Sequence, residues 1–282
     1  FATFVLVFVV ASAAAGILLY QASKDLPDYE SLAKYEPPVM TRIHAHDGSL
    51  ISEFARERRI FVPVNSIPKR VLGAFLSAED RRFYEHGGID PMGIGRAVFA
   101  AVETKLRGGH KRTQGASTIT QQVAKNFLLT NERTYERKIK EAILAVRIER
   151  TYSKDKILEL YLNEIYLGLN SYGVAAAALT YFNKELDDLT IEEMAYLAAL
   201  PKAPNNYHPF KYKDRAIERR DWIIGQMAEN GYITQEDAAA AKKKPLTVNL
   251  RQTGAHISTA EFFAEEVRRT LLTQYGEEKL YG

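Results

Sequence analysis

The 282-residue chain is 46% hydrophobic, enough to bury a core and too apolar for a disordered polypeptide. Its 38 Lys and Arg stand against 35 Asp and Glu, a net charge of +3 too balanced to mark a nucleic-acid binder. Cysteine is absent, which excludes disulfides, thiolate catalysis and cysteine-ligated zinc.

Residues 1–20, FATFVLVFVVASAAAGILLY, carry no charge and are as long as a helix must be to cross about 30 Å of hydrocarbon, so they predict a transmembrane anchor. A cleaved secretory signal would need a basic start and a shorter apolar core. Residues 21–65 read as a linker and a β hairpin. Lys24 to Pro38 is polar and ends on Pro37-Pro38, an extended stretch, and residues 41 to 62 alternate apolar and polar around Asp47-Gly48 as two or three short strands. From Pro68 to about residue 242 the pattern turns helical. Helices are predicted over 68–86, 91–106, 117–128, 133–150, 154–166, 171–181, 190–200, 213–229 and 234–243, so that residues 66–245 make one mainly α domain. No period of 20 to 50 residues recurs, which excludes a solenoid. Residues 246–282 begin strand-like with LTVNL, carry the amphipathic run AEFFAEEVRRTLLTQYG, and are expected to open a linker toward a further domain.

Three segments could carry chemistry. In VLGAFLSAEDRRFYEHGG the apolar stripe runs through Leu72, Phe75, Leu76 and Phe83, with Glu79 on the same face and His86 one step further. Partial burial favours the neutral form of such a carboxylate and raises its pKa, which readies it for proton transfer near neutral pH; the same pattern also suits a Glu paired with Arg81, Arg82 or a distant arginine. Gly87-Gly88 would close this helix. In GASTITQQVAKN, Thr118 and Gln121 have capping-box spacing, and Thr118, Gln122 and Lys125 share a face. Gly115 and Ala116 leave backbone N–H groups open there for an anion, unless the face is merely solvated. In RTYERKIKEAILAVRIER, Arg137 and Glu141 stand at i, i+4 beside Lys138. That spacing reads equally as a local salt bridge and as a carboxylate held among phosphate-binding cations.

Two serine patterns are set aside. Ser66-Ile67-Pro68-Lys69 and Ser153-Lys154-Asp155-Lys156 match the SxxK acylation motif, but neither SDN nor KTG follows. His44 and His46 could share a strand face and chelate a metal; surface histidines of a hairpin explain them as well.

The runs EDRRFYEHGG (79–88), GASTITQQVAKN (115–126), RKIKE (137–141) and SKDKILELYLNEIYLG (153–168) together resemble the glycosyltransferase module of class A penicillin-binding proteins, the family-51 peptidoglycan glycosyltransferases. With no room for a large accessory domain between residues 20 and 68, the chain looks more like the 1A type than the 1B type. The resemblance implies a lysozyme-like, two-lobed α domain with a groove between the lobes and a membrane-embedded face, for which residues 89–106, with Ile94, Val98 and Phe99, are the candidate. It implies polymerisation of lipid II into β-1,4 glycan with inversion and release of undecaprenyl pyrophosphate. Glu79 resembles the base that deprotonates the acceptor hydroxyl. Glu141 resembles the second glutamate, acting at the donor pyrophosphate through a divalent cation, Mg²⁺ or Mn²⁺. Lys125, Arg137 and Lys138 look like pyrophosphate ligands, and Phe83, His86, Thr118, Gln122 and Asn126 like groove residues. The implied partners are lipid II, the growing lipid-linked glycan, the membrane and other proteins of wall synthesis, with no nucleic acid. The implied location is the bacterial cytoplasmic membrane, single-pass, with the catalytic domain on the periplasmic or extracellular side and a transpeptidase domain to follow. A lysozyme-like peptidoglycan hydrolase or a non-catalytic membrane scaffold are the competing readings. Cations around Glu141 favour synthesis, because a neutral polysaccharide needs no phosphate cradle.

Overall fold

The computed structural model describes residues 16, 20, 23–24, 26–35, 41–48, 50–54, 57–106, 117–130, 134–250 and 261–281. The anchor expected over 1–20 and the glycine-alanine pair at 115–116 therefore lie almost wholly outside the described residues. Among those described, no helix is long and apolar enough to cross a membrane.

The described residues are mainly helical, with four short strands among them. Strands β1 (Thr41–His44) and β2 (Leu50–Phe54) form the expected antiparallel hairpin, Thr41 facing Phe54 and Ile43 facing Ser52. The expected third strand, β3 (Arg58–Arg59), leaves the hairpin and pairs in parallel with β4 (Ser171–Tyr172). The helices are α1 (Lys69–Glu79), α2 (Pro91–Leu106), α3 (Ile119–Leu128), α4 (Tyr135–Thr151), α5 (Lys154–Glu164), α6 (Val174–Phe182), α7 (Ile191–Ala199), α8 (Lys213–Glu229), α9 (Gln235–Lys243) and α10 (Glu261–Tyr281). Helix α10 is interrupted at Gly276. LTVNL is irregular rather than a strand, and only Leu246 of it is buried.

The chain divides into two compact units, residues 1–35 with 82–158, and residues 36–81 with 159–282. In the first, α3 packs on α4 through Ile119, Val123, Leu144 and Ile148, all removed from solvent. In the second, α1 packs on α7 and α8 through Val71, Phe75, Tyr196, Ile223 and Ile224. At the start of α5, Ser153 Oγ accepts from the Lys156 N–H at 3.2 Å, the usual service of a serine at a helix N-terminus.

A further expectation fails. The helix predicted over 68–86 stops at Glu79, because Asp80 takes up φ −154° and ψ 73° and residues 81–85 form turns. Phe83 and His86 consequently do not continue the Glu79 face, and Gly87-Gly88 is not its C-cap. The two sides of the break serve different cores. Phe75 is buried in the second unit, while Phe83 is buried in the first.

Candidate active site

The second unit carries Glu79. As the last residue of α1 it sits where the apolar stripe ends, with its side chain 13% exposed and thus still accessible. From α8, Arg219 places Nη2 4.0 Å from Glu79 Oε1 and donates to the Ala78 carbonyl at 3.3 Å. The same guanidinium lies over the Trp222 ring, 4.3 Å from its centroid. Burial pulls the Arg219 pKa below its ordinary value, and the nearby Glu79 and Tyr207 partly restore it. Tyr161 of α5 is fully buried with no hydrogen-bond partner for its hydroxyl among the described residues, and burial, then the charges of Glu79 and Asp80, push its pKa well above 10.

The first unit carries Phe83, His86, Thr118, Gln122, Lys125, Asn126, Arg137, Lys138 and Glu141. The capping box at α3 forms as expected: Gln121 N donates to Thr118 Oγ at 3.1 Å and Thr118 N to Gln121 Oε1 at 3.0 Å. Thr118 also donates to the Gly88 carbonyl at 2.6 Å, so its hydroxyl is committed to the frame. His86 is likewise structural, with Nδ1 accepting from Gly88 N at 3.2 Å and its carbonyl accepting from Lys154 Nζ at 2.7 Å. That ammonium also pairs with Glu149 at 2.7 Å and lies 4.3 Å from the centre of the buried Phe83 ring. Phe83, His86 and Thr118 therefore shape the EHGG turn, whereas Gln122 and Lys125 are half-buried and Asn126 is exposed.

Glu141 is 3% exposed, and one oxygen pairs with Arg137 while the other accepts from Lys138 Nζ at 2.7 Å. Lys138 donates as well to Ser117 Oγ at 2.9 Å. Its pKa lies below the ordinary value, first through burial and then through the positive charges of Arg137 and Lys125. Two cations thus pair with one carboxylate while a third, Lys125, lies near enough to repel Lys138, an arrangement that like-charge repulsion disfavours until an anion arrives. A cavity of about 400 Å³ is lined by Arg137 together with Leu26, Pro27, Leu128 and Leu129 among others. Among the described residues no three His, Asp or Glu converge, so a divalent cation fits Glu141 only in the way Mg²⁺ is held at phosphate sites, by one carboxylate with the remaining ligands from substrate and water. His44 is exposed, with Nδ1 3.1 Å from the Gly48 carbonyl, and is in no such group.

Sequence reasoning missed Arg219, Tyr161 and the Lys154–Glu149 pair. The one available signal was Trp222, the single tryptophan of the chain, three residues from Arg219 and so on the same helix face.

Penicillin-binding protein 1A of Rickettsia bellii is 49% identical over 271 residues, covering 96% of this chain and 34% of that protein. Its namesake in Rickettsia felis is 51% identical over 255 residues, covering 90% and 32%. The chain thus spans about a third of the length of the curated relatives it matches. The crystal structure of penicillin-binding protein 1A from Haemophilus influenzae is matched at a TM-score of 0.48 and 29% identity, over 88% of this chain and 26% of that one, too loosely to place side chains. Residues 47–228 match the transglycosylase family model, and the chain belongs to the transglycosylase family.

Proposed function

We propose that the chain is a peptidoglycan glycosyltransferase of lysozyme-like, two-lobed fold that polymerises lipid II into β-1,4 glycan strands with inversion. Glu79 accepts the proton of the acceptor's 4-hydroxyl as that oxygen attacks the donor's anomeric carbon, and the bond to undecaprenyl pyrophosphate breaks. Lys125, Arg137 and Lys138 bind the departing pyrophosphate, so no general acid is needed, unlike the paired carboxylates of glycoside hydrolases. Gln122 and Asn126 contact the glycan, while Phe83, His86 and Thr118 hold the turn beside them. Mg²⁺ or Mn²⁺ at Glu141 supplies additional positive charge to the pyrophosphate when bound. The reading extends to a periplasmic or extracellular catalytic domain on a single-pass anchor at residues 1–20 in the cytoplasmic membrane.

The observation that carries this reading is the pairing of Arg137 and Lys138 with Glu141, with the charge of Lys125 acting on Lys138, a cluster suited to a pyrophosphate and superfluous for a neutral glycan. The test is polymer formation from labelled lipid II with Mg²⁺ in detergent. Wild type is expected to give polymer and Glu79→Gln to lose at least 10²-fold of the rate, the scale of a general base. Cleavage of preformed glycan without polymer formation would favour a hydrolase instead.

A further inference from the structure

We propose that Arg219 is a positioning residue that keeps Glu79 in its ionised, proton-accepting form and so sets the acidic limit of the reaction. The inference rests on the reading of Glu79 as the base.

Several ionisable groups surround Glu79. Its side chain is largely buried at the end of α1, where loss of water penalises a carboxylate. Asp80 beside it is buried too and adds like charge. Tyr161, from α5, brings a neutral phenol, and Tyr207 faces Arg219. The acids of α7 are engaged elsewhere, Glu192 with Lys244 and Glu193 with Lys184. Asp237 of α9 lies near Arg70, at the opposite end of α1. Arg219 brings a guanidinium that offsets burial and Asp80.

Its placement suits that task. At 4.0 Å it stabilises the negative charge without forming a close, bidentate pair that would occupy both oxygens and blunt their basicity. It is also held to the element that carries Glu79. Nη2 is bonded to the carbonyl of Ala78, the residue before Glu79, and the flat face is stacked on Trp222. The cation therefore keeps station at the helix end when the carboxylate takes up a proton. The guanidinium stays charged over the pH range in which a carboxylate titrates.

The test is the pH dependence of kcat/KM for polymerisation in wild type, Arg219→Met, Arg219→Lys and Glu79→Gln, with folding followed by circular dichroism. In Arg219→Met the acidic limb is expected to move to higher pH by about one unit, a roughly tenfold loss at the acidic end, with the neutral plateau within a few-fold of wild type. Arg219→Lys should keep the limb near its wild-type position. Should Arg219→Met not fold, Trp222→Leu, which frees the cation from its stack, is expected to move the limb in the same direction by less. An equal loss at every pH, with the limb unmoved, would overturn the inference while leaving an inactive Glu79→Gln to support the base. A Glu79→Gln variant retaining the wild-type rate and limb would instead overturn the base and this inference together.

Discussion

Tyr161 shows how much a single buried group can report. A phenol hydroxyl without a partner in the interior costs about 1–3 kcal/mol relative to one that is bonded, so Tyr161→Phe should leave stability unchanged or raise it by about 1 kcal/mol. The sign with pH follows from linkage. The folded-state pKa is raised above 10, first by burial and then by Glu79 and Asp80, so the stability tied to the protonated phenol is whole below about pH 10 and lost as pH rises beyond it. Urea midpoints between pH 8 and 11 should fall for wild type and fall less steeply for the phenylalanine variant. Glu79 and Glu141 were legible in the sequence because a carboxylate on an apolar face, or one spaced i, i+4 from an arginine, is a local pattern. Arg219 and Tyr161 were not, because they reach Glu79 from α8 and α5, across folding that no local period encodes.

Helix boundaries were legible wherever a cap stood in the sequence, as with Thr118 and Gln121 before α3. They failed where tertiary packing decided. The apolar spacing of residues 71–86 fits one helix, yet Phe75 and Phe83 belong to separate cores, and the break falls at Asp80 rather than at the glycines. Gly88 has a different duty. Its φ is +94°, and a Cβ there would meet the Ala145 carbonyl oxygen at 2.6 Å, within the backbone of α4. Gly88→Ala is therefore expected to cost about 2–4 kcal/mol, combining left-handed strain with a clash against backbone that cannot step aside. The carbonyl that receives the Thr118 hydroxyl would shift with it, so guanidinium-chloride unfolding and polymerase rate should both suffer.

For the molecule as a whole, α2 stands out, since none of its residues is buried and Met92, Ile94, Val98, Phe99, Val102 and Leu106 lie exposed along it. A contiguous apolar strip of this kind suits the boundary of headgroups and acyl chains. Replacing Val98 and Phe99 together by Asp should lower co-sedimentation with anionic phospholipid vesicles by tenfold or more, whereas unchanged binding would assign the strip another cover. Chelation with EDTA is expected to slow polymerisation and restored Mg²⁺ to recover it, while Glu141→Gln should respond little to either. Ser153 carries a last consequence. Its hydroxyl is spent on the first turn of α5, and the motif it opens is a helix start rather than a nucleophile. A fluorescent penicillin should accordingly leave this stretch of chain unlabelled, even though its relatives are named for binding that drug.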